Sequence, residues 1–287
     1  MMAGKYILIG SVLLATAACS SGGAEKTQTA ETVESIESTT DSAFAALESS
    51  FAEDQMTISD IPFPFMILEE LYEKRVPFNP KVVNNVKNVS RYSQYNQKAL
   101  NLGVYGADLS YAVTYEQFQQ IGTYIKVTKK LADELNIPLA FDGGMMDRYS
   151  SNKDNKDSLT NLVYDSYTRV DAALKDDERK GMAALVVAGS WLEGLYLSTR
   201  TFLDAPKSDE NASLYKTIQE QKKSLKLVVK MLEQYKDDAY FAKLITDLNS
   251  ITSEYNNISE SIDMNEKQLI SINSKVAKLR NRITEGL

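Results

Sequence analysis

The sequence predicts an all-α protein, a multi-helix bundle of long antiparallel helices. Three observations carry that prediction. Apolar residues return every three or four positions through most of the chain, the period of an amphipathic helix. The period-two alternation of a half-buried strand is nearly absent. The six prolines fall at 62, 64, 77, 80, 138 and 206, so they separate the periodic stretches rather than interrupt them, and none lies between 207 and 287.

In chain order, a first helix spans about Thr40 to Glu53, with Phe44, Leu47 and Phe51 on one face. Pro62 and Pro64 restrict the lead-in to a short helix from Phe65 to Lys74, and Pro77 and Pro80 mark the next break. A long helix is expected from Lys81 to Ala112, on the spacing of Val82, Val86, Val89, Tyr92, Tyr95, Ala99, Leu102 and Tyr105. Thr114, with Gln117 three residues on, reads as a capping box for a helix that runs to about Leu135 and is closed by Pro138. Asp142-Gly143-Gly144 reads as a turn, and 150–158 as a polar loop. Asp157 or Ser158 then starts a helix that ends near Leu174. Met182 to Phe202 is a very apolar helix, and Ser208 or Asp209 caps the next, which ends near Tyr235.

The final stretch has the clearest period. Leu244, Leu248, Ile251, Tyr255, Ile258, Ile262, Asn265, Leu269, Ile272, Val276, Leu279 and Ile283 are spaced alternately by four and three, a heptad pattern. It suits one helix of about 60 Å, or two antiparallel helices broken near Asp263. Asn265 is its one polar member, a residue type that sets register in coiled coils. A stripe of this kind either packs on the rest of the bundle or offers a surface for self-association through 244–283.

GVYGADLSY (103–111) and GSWLEGLYL (189–197) are weakly alike. Each lies late in a helix and precedes a second amphipathic helix. This suggests two pseudo-repeated helical hairpins within the bundle.

The N-terminus has a different character. Lys5 precedes an apolar core from Tyr6 to Leu14. The small residues Ala15, Thr16, Ala17 and Ala18 follow, then Cys19. This is the plan of a secretory signal peptide, with an apolar stretch too short to span a bilayer. The run LLATAAC resembles the lipobox of bacterial lipoproteins. The resemblance covers residues 1–19 and implies cleavage before Cys19 and lipid on its sulfur. Cys19 is the only cysteine in the chain, so it has no intramolecular disulfide partner. Family sorting rules read Ser20 as carrying no inner-membrane retention signal, which implies the outer membrane of the cell envelope. The segment after Cys19 is rich in Ser, Thr, Glu and Gly and reads as a flexible tether. The expected organisation is a signal peptide over 1–18, a lipidated tether over 19–40 and one helical domain over 41–287.

Composition narrows the chemistry. With 32 Lys plus Arg against 39 Asp plus Glu, the formal charge is −7, and nucleic acid is not an expected partner. The chain has no histidine, which excludes Ser-His-Asp and Cys-His catalysis and His-ligated zinc or haem. No cofactor or metal is expected. Asp142, Asp147, Asp154 and Asp157 flank a glycine-bearing region, but without the spacing of a calcium loop.

Two acids stand out. Asp108 and Glu193 lie inside otherwise apolar helical stretches, where a carboxylate is costly unless paired or hydrogen-bonded. Tyr or Ser hydroxyls, or Arg200, are the expected partners. Tyr105, Asp108 and Tyr111 share one helix face, and Trp191 is close to Glu193 in sequence. Three readings compete for these residues: a buried polar network that fixes packing, a ligand pocket lined by tyrosines and Trp191, and carboxylate-pair hydrolysis. The sixteen tyrosines against nine phenylalanines suit either a binding surface or a polar-edged core. The expected function is that of a non-enzymatic, membrane-anchored lipoprotein whose helical body holds another envelope component. A receptor for a small molecule or peptide is the alternative, and a carboxylate-based hydrolase the remotest.

Overall fold

The computed structural model describes residues 64–137, 143–153, 155–174, 179–259 and 262–286. The expected signal peptide, the tether and the helix over 40–53 lie outside them. Among the described residues the chain is helical, without strands. The helices are α1 (Pro64–Glu73), α2 (Tyr95–Thr114), α3 (Phe118–Glu134), α4 (Gly143–Asn152), α5 (Lys156–Ala173), α6 (Lys180–Asp204), α7 (Leu214–Glu233), α8 (Ala239–Asn256) and α9 (Glu266–Thr284), with a 3-10 helix at Val86–Arg91.

Two helices form the centre. Every residue of α2 from Ala99 to Thr114 is buried, as is nearly all of α6 from Ala184 to Phe202. A helix apolar on all sides needs neighbours on all sides. By length and composition α6 could also cross a membrane, but 78% of its apolar window is buried inside the protein, so here it serves as a core helix.

The two backbones touch where α2 and α6 cross. A Cβ on Gly103 would lie 2.0 Å from the Val186 carbonyl oxygen, and one on Gly189 would lie 1.9 Å from that of Leu100. The contact is reciprocal. When Gly103 is matched to Gly189, Leu100 and Val186 occupy equivalent positions. The helices run in the same sense, since Tyr111, further along α2, bonds Thr201, further along α6.

Around this pair the packing order repeats. In the first half α3 and α5 pack on α2, and α4 packs on α5. In the second half α7 and α9 pack on α6, and α8 packs on α9. The pairs α2 with α3 and α8 with α9 are antiparallel. In α2 and α3, Lys98 pairs with Glu134 and Tyr105 lies beside Tyr124. In α8 and α9, Ser271 and Lys275 meet Glu254 while Arg282 meets Asp247. The resemblance of 103–111 to 189–197 therefore marks the equivalent centre of two four-helix halves, larger units than the hairpins expected.

Several boundaries differ from expectation, each for a local reason. The helix expected from Lys81 to Ala112 is divided. The Asn85 side chain accepts the Lys87 N–H and starts the 3-10 helix, and Gln97 Oε1 accepts the N–H groups of Ser93 and Gln94 to begin α2. Thr114 does not cap α3. It ends α2, and its hydroxyl meets Glu69 instead. The chain turns at Glu116, whose φ is 55°, while Gln117 N–H reaches back to Ala112 O. The same left-handed closure, with a bond spanning five residues, ends α1 at Arg75 and α3 at Asn136. Gly143 and Gly144 belong to α4 rather than to a turn. The polar loop expected over 150–158 is shorter, because α4 runs to Asn152 and Asn155 caps α5 by accepting the Ser158 N–H. Ser208 and Asp209 cap nothing. Asn211 organises their turn through Ser208 N and Pro206 O, and α7 begins at Leu214.

The heptad stretch is two helices, α8 and α9. Asn265 is the N-cap of α9, in a capping box with Gln268, so its side chain serves a helix start and sets no coiled-coil register. Leu244, Leu248, Ile251, Tyr255, Leu269, Ile272, Val276, Leu279 and Ile283 are all buried. The stripe packs within the bundle. Ile262 falls outside it and is 68% exposed.

The glycine crossing yields a prediction. Gly189→Ala drives a methyl into backbone that has no room for it and should cost about 3 kcal/mol or more in urea unfolding. Gly181→Ala, whose nearest neighbours would lie at 3.4 Å, should be neutral or stabilising.

Candidate functional site

Asp108 projects from α2 and Glu193 from α6, next to the glycine crossing, and both are fully buried. Their partner comes from α9. Arg280 donates from Nε to Glu193 Oε2 at 2.9 Å and from Nη2 to Oε1 at 2.7 Å, a bidentate ion pair. Nη2 also donates to the Val82 carbonyl at 3.1 Å, and the guanidinium lies 4.6 Å from the Tyr196 ring centroid. Burial opposes the charge on Arg280, but the Glu193 carboxylate outweighs it and holds the guanidinium protonated.

Asp108 differs. One of its oxygens accepts the Asn84 N–H at 3.2 Å, while the other, Oδ1, meets no donor. Burial first, and then the adjacent Glu193 charge, pushes its pKa well above the usual carboxylate range. Both effects favour the protonated form of Asp108, in which its carboxyl can donate a hydrogen bond to Glu193. With that proton the group of three side chains is neutral overall, the state that burial favours.

These side chains hold an irregular segment that lies against the bundle. Residues 76–85 are neither helix nor strand, yet Val76, Val82 and Asn84 are buried. Backbone polar groups in such a segment need partners, and the helices supply them. Tyr115 donates to Val76 O at 2.9 Å, and Tyr111 accepts the Asn79 N–H at 2.9 Å. Arg280 takes Val82 O, and Asp108 the Asn84 N–H. Tyr124 donates to Asn84 O at 3.2 Å and Tyr105 to Asn85 O at 2.9 Å. The Asn84 side chain donates to Tyr92, which donates in turn to Thr284 O on α9. Burial raises the pKa values of Tyr105, Tyr115 and Tyr124, so each remains a neutral donor.

Of the residues singled out in the sequence, Tyr105, Asp108, Tyr111 and Glu193 are thus brought together. Trp191 is buried on α6, and its indole N–H has no partner, so it stands outside the hydrogen-bond network. Arg200 is not the partner of the acids. It pairs with Asp204 at 2.8 Å on the surface. Sequence reasoning missed Arg280, Asn84, Tyr92 and Tyr124. Arg280 had a signal, because it lies four residues after Val276 and three before Ile283, on the apolar face of α9. Asp147 and Asp157 are exposed on α4 and α5, and Asp142 and Asp154 lie outside the described residues. Among the described residues no group of three or more acidic, histidine or cysteine side chains is placed to hold a metal ion.

No protein-family model, curated protein or solved structure matches this chain.

The site generates two predictions. Asp108 titrates near 3.8 when unfolded and above that when folded, so folding takes up a proton between the two values. The resulting stability is complete below the unfolded value and is lost as pH rises through the folded one, with a slope of up to about 1.4 kcal/mol per pH unit. Asp108→Asn keeps an uncharged donor and acceptor, and should flatten that slope and unfold later than the parent at alkaline pH. Arg280→Met leaves Glu193 buried without a cation and should cost about 3–5 kcal/mol in chemical denaturation.

Proposed function

We propose that this chain is a non-enzymatic envelope lipoprotein, tethered to a membrane through lipid on Cys19, whose helical body binds another envelope component. The observation that carries the binding reading is the use made of the two acids best suited to chemistry. Asp108 and Glu193 have no solvent exposure; Glu193 is held by Arg280, and Asp108 accepts the Asn84 N–H. A general acid or nucleophile must reach its substrate, and these serve the protein's own backbone. The anchor rests on LLATAAC and on the absence of any other cysteine. A lipid-borne tether and a rigid bundle together suit holding or recognition at the envelope, and Ser20 favours the outer membrane. Stable anchoring needs more than one acyl chain, which the lipoprotein pathway supplies.

The receptor alternative changes position. Tyr105, Asp108, Tyr111, Trp191 and Glu193 are core residues, so a small ligand would use the surface above them.

Metabolic labelling with a palmitate analogue tests the anchor. The parent chain should incorporate label and fractionate with membranes, whereas Cys19→Ser should do neither. Equal labelling of the two would overturn the lipoprotein reading. Crosslinking on intact cells tests the binding role, which predicts a discrete heteromeric adduct; monomer alone under several crosslinkers would contradict it.

A further inference from the structure

An open groove of about 640 Å³ lies over the clamped segment, lined by Pro80, Lys81, Val83, Asn84, Asn85 and Val86 on one side and by Gln119, Gln120, Thr123 and Tyr124 of α3 on the other. Its volume is in the range of small-molecule sites. Its wall and floor are fixed from beneath: Asp108 holds Asn84 N–H, Tyr124 holds Asn84 O, and Tyr105 holds Asn85 O. A loop already held in place loses little freedom when a ligand arrives.

The lining has a definite chemistry. Among the described residues the Lys81 ammonium and the Gln119 and Gln120 amides have no protein partner. No acid lines the groove, although the chain carries a net charge of −7. Side-chain amides offer a donor and an acceptor side by side, the complement of a peptide bond. Pro80, Val83 and Val86 provide aliphatic surface for small side chains. The only aromatic lining residue is Tyr124, which is buried, so the groove lacks an exposed ring on which a sugar would stack.

We propose that this groove binds a short peptide bearing a free carboxylate, with Lys81 pairing the carboxylate and Gln119 and Gln120 bonding the peptide backbone. The proposal deepens the binding-module reading and rests on it. Loss of Cys19 labelling would leave it standing, and its own failure would leave the anchor standing.

Saturation-transfer NMR on the full mature chain in detergent micelles tests it, with N-acetyl-trialanine as the probe. Transfer to the alanine methyls is expected, with affinity falling roughly tenfold when the peptide is amidated or when Lys81→Gln removes the charge. Thr123→Trp, at an exposed position, fills the groove and should abolish transfer. A spin-labelled form of the same peptide, which needs no variant, should broaden the Gln119 and Gln120 side-chain amides of the parent chain. Absence of transfer, transfer unaffected by Thr123→Trp, equal binding of the amidated peptide, or binding of maltotriose in place of the peptide would each overturn the proposal.

Discussion

The bidentate ion pair between Glu193 and Arg280, with the buried carboxyl of Asp108 beside it, is the interaction on which the rest of the structure depends. Three central elements, α2, α6 and α9, each contribute one member. Burying ions is costly, and an ion pair in a core is weak evidence for stability taken alone. Here the group does something a hydrocarbon core cannot. Arg280 and Asp108 satisfy the carbonyl of Val82 and the N–H of Asn84, in a segment that lies against the bundle without secondary structure of its own. The polar core and the irregular segment therefore require each other.

The glycine crossing sets the geometry. Gly103 and Gly189 let α2 and α6 approach to backbone contact, which brings Asp108 and Glu193 into the same small volume. The two halves share this crossing and their packing order but differ in polar content. Tyr105 and Trp191 occupy equivalent positions two residues after the glycines. The tyrosine hydroxyl reaches Asn85, whereas the indole N–H reaches no partner. The irregular segment precedes α2, and the polar network has formed on the side that serves it. Five of the sixteen tyrosines serve this network. Tyr92, Tyr105, Tyr111, Tyr115 and Tyr124 fill the core with their rings and present hydroxyls to exposed ends of backbone.

Much of this was legible in the sequence. Helix period and proline placement indicate the all-α class, and the apolar surroundings of Asp108 and Glu193 mark them as needing partners. The likeness of 103–111 to 189–197 suggests two related units, but not that Gly103 and Gly189 cross at the centre. Less legible were features set by tertiary context. Valines at helical spacing from Val82 to Val89 mimic a helix start, but the Asn85 side chain competes for backbone N–H groups and the segment is more useful extended. Arg280 falls on the apolar face of α9, but its partner is not legible until Glu193 is placed opposite it. The break near Asp263 and the cap at Asn265 were undecidable by period alone, because a heptad continues in register across an antiparallel turn. The N-terminal lipobox resemblance and the helical body are read separately, one through sequence and the other through packing.

The central claim is that one proton resides on the buried carboxyl pair and leaves it a single negative charge, which Arg280 balances. Infrared difference spectroscopy between the parent chain and Asp108→Asn at neutral pH tests it most directly. The account predicts a protonated carboxylic acid C=O band in the parent that is missing from the variant and shifts in deuterium oxide. A difference spectrum showing only an ionised carboxylate lost from position 108 would contradict it.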